Sequence, residues 1–354
     1  MTVPVRDLTL AGRLNRAWYR PLRVLSRGTV TVILTVLGLL VATFVLASLA
    51  PIDPALQLVG DHASNSAYLH MRQVLALDRP RPVQFERYVM RLAHGDLGTS
   101  SSTGQPVIDD LKRVFPATLE LATLAMTISA VFGVALGLLS AWRPGGALDA
   151  VSRVVSLLGN SIPVFWLGLL SLFVFYAHLR WVGGPGRLDD AFEYTLDMRS
   201  NLVLLDTWRS HVPGAFANAV AHLILPVLVL AASALGSVTR LTRAVLLEER
   251  GREYVTLARA KGAGEARILL RHILPNTIGT LLTVIALSYT GLLEGAVLTE
   301  TVFAWPGLGR YLTTALFAGD TPAVLGGTLL IGLCFVLVNG LTDVLVRALD
   351  PRIR

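Results

Sequence analysis

The sequence predicts an all-α, polytopic membrane protein with six transmembrane helices and both termini in the cytoplasm. Three observations carry that expectation. The composition is 53% hydrophobic and 16% charged, with a mean hydropathy of +0.60, whereas soluble domains carry about 25% charged residues. Six apolar runs are each long enough to cross a hydrocarbon layer of about 30 Å as a helix. Between those runs the loop charge alternates as the positive-inside rule requires.

In chain order, residues 1–28 form a cytoplasmic segment, with Arg6, Arg13, Arg16, Arg20, Arg23 and Arg27 against Asp7 alone. Residues 29–50, the run Thr29–Ala50, are the first span. A cleaved signal peptide is excluded because the apolar core is too long and Pro51 follows Ser48-Leu49-Ala50. Residues 51–117 are polar without a basic excess, so an extracytoplasmic segment is expected, with short helices at Ser66–Leu77 and Pro82–Ala93. Val107, Ile108, Leu111, Val114 and Phe115 then recur at helical spacing. They describe either a helix lying in the membrane interface or an amphipathic loop helix packed on the bundle.

Residues 118–354 form a five-helix core. Its spans are Leu121–Trp142, Val154–Leu179, Val220–Thr239 (continuing as a more polar helix to Leu247), Ile273–Thr299 and Ala323–Val346. Pro163 and Pro226 are expected to interrupt two of these helices. Gly133, Gly137, Gly168, Gly326, Gly327, Gly332 and Gly340 provide close helix seams.

The most hydrophilic interval between two spans lies at about 248–274. Residues 240–272 hold eight basic side chains against four acids, and residues 181–219 hold three arginines against five acids. The first interval therefore belongs inside and the second outside. Locally the pattern reads as two short helices with a hinge. Tyr254, Leu257, Ala258 and Lys261 share one face, Gly262 and Gly264 supply the stop, and Glu265–His272 forms a second short turn. Pro275 breaks that pattern and sits in the first turn of the next helix, where its missing N–H is harmless. Such an elbow is either a solvated connector or a rigid protrusion that a partner grips.

Ionisable groups within spans cost roughly 2.5–3.5 kcal/mol at the membrane centre on insertion scales. Glu120 and Asp343 lie near span ends and read as interfacial. Glu294, in the outer half of the fifth span, faces an aqueous cavity or makes a structural polar contact. The Gly159-Asn160-Ser161-Ile162-Pro163 break makes Asn160, Ser161 and Pro163, with Glu294, candidates for a translocation pathway. No catalytic or metal site is expected: Cys334 is the single cysteine, no H-E-x-x-H pair occurs, and Ser161 sits in G-N-S-I rather than a serine-protease context. Lys112 and Lys261 are the only lysines and neither follows a phosphate-binding glycine loop, so no nucleotide-binding motor is encoded. The basic charges border apolar spans, which makes membrane lipid their partner rather than nucleic acid.

The run T-L-A-R-A-K-G followed by L-P resembles the EAA signature of ABC-importer permeases, in the form used by the dipeptide/oligopeptide/nickel branch. Ala258, Gly262, Leu274 and Pro275 match, while Thr256 stands where the general signature has Glu and His272 where it has Ile. PIDPA at 51–55, HGDLGTS at 94–100, FPATLELA at 115–122, NSIPVFWLGL at 160–169, ETVFAWPGLGR at 300–310 and LDPRIR at 349–354 resemble the same branch, in order. The resemblance implies a type I importer permease fold in a bacterial cytoplasmic membrane. It makes the elbow a coupling helix held by a cytoplasmic ATPase, with Tyr254, Leu257, Ala258, Arg259, Ala260, Lys261, Gly262, Leu274 and Pro275 as its contact set. It also implies a homologous second permease, two ATP-binding subunits (or one heterodimer) carrying ATP and Mg, and an extracytoplasmic peptide-binding protein. The long 51–117 segment resembles the first-permease type. The branch includes nickel, glutathione and opine importers, and an ion-coupled secondary transporter, which would show inverted repeats, is the distant alternative.

Overall fold

The computed structural model describes residues 32–46, 48, 54–60, 63–74 and 77–349. The expected cytoplasmic segment 1–28, both ends of the first span, residues 51–53 of the PIDPA run and residues 350–354 of the LDPRIR run lie outside the described residues. Among the described residues the secondary structure is helical apart from one isolated bridge, Thr99 to Pro106.

Helix α1 (Val32–Leu46) is followed by α2 (Pro54–Val59), α3 (Asn65–Val74) and α4 (Arg81–Ala93). Short helices are present where they are expected at 66–77 and 82–93, the first ending at Val74. Tyr88 of α4 donates to Thr43 of α1 at 3.0 Å, and Phe44 packs on Phe85 with ring centroids 5.2 Å apart.

Helix α5 (Val107–Trp142) fuses the expected amphipathic helix with the second span in one 36-residue helix. Val107, Leu111 and Val114 bury against Leu308, so the amphipathic face is packed on the bundle rather than laid in the interface. Pro116 lies inside α5 without ending it.

The third span is broken. Helices α6 (Ala147–Ser161) and α7 (Val164–Ser171), the latter continuing through a π turn at Leu172–His178, meet at 97°. Ile162 is extended (φ −86°, ψ 123°), the conformation that a following proline imposes.

After α8 (Asp190–Glu193) and α9 (Val203–Ser210), α10 (Ala215–Arg250) runs for 36 residues. Pro226 does not interrupt it, contrary to the sequence expectation. Leu225, Pro226 and Val227 are all buried in the bundle, and neighbouring helices keep the helix continuous where the proline removes one hydrogen bond. Helix α11 (Glu253–Ala260) is the first arm of the elbow. Helix α12 (Glu265–Arg267) passes through a π turn at Ile268–Ile273 into α13 (Leu274–Val302). The second arm is therefore continuous with the fifth span. The π turn relaxes the backbone just ahead of Pro275, so the proline needs no break. Helices α14 (Leu308–Phe317) and α15 (Thr321–Leu349) follow and end the described residues.

Four helices, α5, α10, the α12–α13 unit and α15, are long and apolar enough to cross a membrane. The bent α6–α7 pair makes a fifth if it is one span, and α1 is apolar but shorter over its described residues. Helix α10 is the axis of the bundle, packed by α5, α13, α6, α7 and α9, whereas α15 rests on the outside, chiefly on α13, α14 and α5, with Gly332 close against Leu39 of α1. The core joins Leu121 and Ala125 of α5, Leu230 and Val238 of α10, Leu292 and Leu293 of α13, and Trp305. At the α5–α10 seam a Cβ on Gly137 would stand 2.6 Å from the Thr242 side chain, so this crossing needs the bare glycine.

Candidate functional site

The elbow is built by local rules. Glu253 in the first turn of α11 and Arg259 in the last both complement the helix dipole. The helix ends in a Schellman cap. Gly262 adopts φ +79°, its N–H donates to Arg259 O (2.9 Å), and Ala263 N donates to Ala258 O (3.1 Å). A Cβ at Gly262 would meet nothing, so the requirement there is conformational, not steric.

One face of α11 is anchored. Val255 is fully buried in a cluster with Ala141, Leu246, Ile268, Leu269 and Ile273, and Tyr254, Ala258 and Ala263 pack against that cluster. Tyr254 and Ala258 thus share the inner side, while Leu257, Ala260 and Lys261 are exposed. The sequence placed Tyr254, Leu257, Ala258 and Lys261 on one stripe; packing centres the buried stripe on Val255 and leaves Leu257 and Lys261 outside it. Leu257 remains 56% uncovered. Of the signature's second half, Leu274 is half-buried and Pro275 exposed on the first turn of α13.

A carboxylate fastens the elbow's two arms. Glu265 accepts from Arg259 Nε at 2.8 Å and from Arg250 Nη2 at 2.5 Å. Arg250 Nη1 also donates to the carbonyls of Ala141 and Trp142 at the end of α5. The hydrogen bond from Arg259 to Glu265 raises the guanidinium pKa above its usual value. That pair is nearly half exposed and contributes about 0–1 kcal/mol. Arg250, only 17% exposed and tied to two helix-end carbonyls, is the firmer link. Sequence reasoning missed Val255, Arg250 and Glu265 as the anchor. The apolar residue one position after Tyr254 was the available signal.

The break residues Asn160, Ser161 and Pro163 come together at the α6–α7 bend, all exposed. Asn160 Nδ2 donates to Ser156 O (3.0 Å) and Ser237 Oγ of α10 donates to Asn160 Oδ1 (2.9 Å). A cavity of about 210 Å³ opens beside the bend, lined by Leu158, Gly159, Ile162 and Leu167 with Val229 and Ser233 of α10. Glu294 lies apart from these, on the uncovered side of α13.

Glu120 and Glu300, near span ends, are structural. Glu120, expected to be interfacial, is 9% exposed and accepts from Val203 N (2.8 Å) and Leu204 N (2.9 Å) at the start of α9. Asp343 is exposed near the end of α15. In the ETVFAWPGLGR run, Glu300 is fully buried. It accepts from Thr118 Oγ1 (2.5 Å) and Arg310 N (3.0 Å), while Trp305 Nε1 donates to Ala117 O (3.1 Å). His222 is buried with Nε2 3.1 Å from Asp189 Oδ1, remote in role from Ser161. On the same side Arg187 sits 5.6 Å from the Trp305 ring centroid, and burial depresses its guanidinium pKa. No group of three or more His, Cys, Asp and Glu side chains capable of holding a metal occurs among the described residues.

The structure thus joins one axial helix, a broken span and an elbow anchored between two long helices. Residues 133–354 match the family of binding-protein-dependent transport system inner membrane components, and residues 21–122 match the N-terminal part of such membrane components. The chain is 45% identical over 322 residues to the probable D,D-dipeptide transport system permease protein DdpB of Escherichia coli, covering 91% of this chain and 94% of that one. It is 40% identical over 324 residues to the di/tripeptide transport system permease protein DppB of Pseudomonas aeruginosa, covering 90% and 95%. Among solved structures, the inward-facing MetNI methionine ABC transporter is similar at 19% identity with a TM-score of 0.49, over 68% of this chain and 96% of that one. The chain belongs to the binding-protein-dependent transport system inner membrane components. It is a multi-pass permease of the cytoplasmic membrane in an ABC importer, with ATP hydrolysis on separate subunits.

Proposed function

We propose that this chain is the first-type permease of an importer for di- and oligopeptides. It pairs with a homologous second permease above two ATP-binding subunits, identical or a heterodimer, which carry the ATP and Mg. A peptide-binding protein delivers cargo on the outer side. Six spans with cytoplasmic termini put the elbow within reach of the ATPases. The observation that carries the reading is the two-sidedness of α11: its inner face is locked by Val255 and the Arg250–Glu265 link, while Leu257, Ala260 and Lys261 project uncovered. A rigid arm with a free apolar tip suits a groove in a partner, and binding there transmits motion if it differs between open and closed ATPase dimers. The peptide cargo is supported by the dipeptide and di/tripeptide systems named for the relatives.

The pathway is proposed at the α6–α7 bend, with Asn160, Ser161 and Pro163, and along the Glu294 side of α13. A carboxylate facing lipid is costly, so that side of α13 faces water or the second permease. The test is reconstitution in proteoliposomes with the second permease, the ATPases and the binding protein of its system. ATP-dependent uptake of labelled alanyl-alanine, competed by other dipeptides but not by Ni²⁺ or glutathione, is expected. ATP-dependent accumulation of Ni²⁺ or glutathione without peptide overturns the cargo. Gradient-driven peptide uptake by the chain alone overturns the importer.

A further inference from the structure

Asp149 stands in the first turn of α6, Ser140 at the end of α5, and Arg243 on α10, two turns before Arg250. The fold gathers them into one node. Asp149 is 1% exposed and accepts from Ser140 Oγ (2.5 Å), Arg243 Nε (2.6 Å), Arg243 Nη2 (3.1 Å) and Gly145 N (2.9 Å). Arg243 Nε is also 2.9 Å from Ser140 Oγ, and Arg153 approaches Asp149 Oδ2 at 3.8 Å. A buried carboxylate held by a two-pronged guanidinium cannot slide without leaving a charge unpaired, so the node is a stiff joint.

The same two helices grip each other again at the far end of α6. A Cβ on Gly159 would stand 2.7 Å from Ala232 O and one on Gly236 would stand 2.9 Å from Ser156 O, while Ser237 bonds Asn160. Helix α6 is therefore clasped to α10 at both its ends, and the second clasp adjoins the 97° bend. Beyond Arg243, α10 continues to Arg250, which holds Glu265 of the elbow.

We propose that the Asp149–Arg243–Ser140 node is a positioning contact that carries displacement of the elbow through α10 into the broken α6–α7 span. This rests on the coupling reading above. Without the node, α10 would still follow the elbow, but the start of α6 would not follow α10.

The experiment uses the full complex in proteoliposomes and reads peptide uptake per ATP hydrolysed for Arg243→Gln, Asp149→Asn and Arg243→Lys. The expected result is assembled complexes in which the first two lower that ratio roughly 2- to 30-fold, with substantial recovery in Arg243→Lys, which keeps the charge. A purely structural role would change yield or thermal midpoint without moving the ratio. An unchanged ratio in both Arg243→Gln and Asp149→Asn overturns the proposal, as does failure of both to assemble. Gly262→Pro in the same complex separates the two readings: full transport by that variant sinks the coupling role of the elbow, whatever the node does.

Discussion

Leu257 offers the sharpest test of the elbow because its role in folding is small and its proposed role in binding is large. The side chain projects from α11 with 56% of its surface uncovered. Fully burying a leucine contributes about 1.5–3 kcal/mol, so covering the remaining share contributes about 0.8–1.7 kcal/mol, roughly 4- to 17-fold in a dissociation constant. Leu257→Ser removes that surface, keeps the backbone, and leaves Val255 and the Arg250–Glu265 link in place. The expected outcome is normal insertion and thermal midpoint in detergent, with affinity for the isolated ATPase subunit weakened within that range by biolayer interferometry. Uptake should fall in parallel at limiting ATPase. Wild-type affinity in Leu257→Ser would refute the reasoning that this uncovered face is what the ATPase covers.

The remaining expectations concern the outer half and the orientation. A Cβ at Gly307 would stand 2.3 Å from Glu300 Oε1, so Gly307→Ala should lower stability by about 1–3 kcal/mol, as overpacking does; an unchanged thermal midpoint would refute this close approach of Gly307 to the Glu300 carboxylate. Burial pushes the Asp320 carboxyl up, but hydrogen bonds from Ser100 Oγ (2.5 Å), Ser102 N (3.0 Å) and Ala323 N (3.2 Å) outweigh it and hold the pKa below the ordinary 3.8. The folded pKa is the lower one, so this stability is fully present above about pH 4 and is lost as pH falls through the folded value; Asp320→Asn should flatten that acid dependence of the thermal midpoint. Cysteines at the exposed positions 190 and 261, in a Cys334→Ala background, should react with an impermeant thiol reagent on intact cells at 190 only; labelling at 261 alone would invert the topology and remove the elbow from any ATPase.

The helical class and the apolar spans were legible because lipid admits so few solutions: continuous apolar runs and loop charge together fix where helices lie. The elbow was legible for a local reason, since Gly262 in a left-handed cap and Gly264 ahead of Glu265 are signals a short window contains. What was not legible depends on distance in sequence. Nothing near Asp149 announces Arg243, nor does anything near Glu120 announce the amides of Val203 and Leu204. The packing of the amphipathic 107–115 stretch on the bundle was hidden as well, because nothing near Val107, Leu111 and Val114 announces the Leu308 that covers them. Pro226 misled because a buried bundle axis tolerates a proline that an isolated helix would not.

The carboxylates near the membrane divide by what receives them. Glu120 takes the first amides of α9, Glu300 takes an amide in the first turn of α14, and Asp320 takes an amide at the start of α15. In each case a helix N-terminus presents N–H groups with no intrahelical partner, and the acid answers them, so charge and orphan donors cancel where neither could be left bare. These acids are architecture: Glu120 and Glu300 pin the short helices α9 and α14 to long spans, and Asp320 pins the Ser100–Ser102 turn to the start of α15. Glu294 has no such place, standing on the uncovered side of α13 in the single chain. The physics that makes the other acids structural therefore makes Glu294 a marker of incompleteness. In the assembly proposed above, the side of α13 that bears it is finished by water in the pathway or by the second permease.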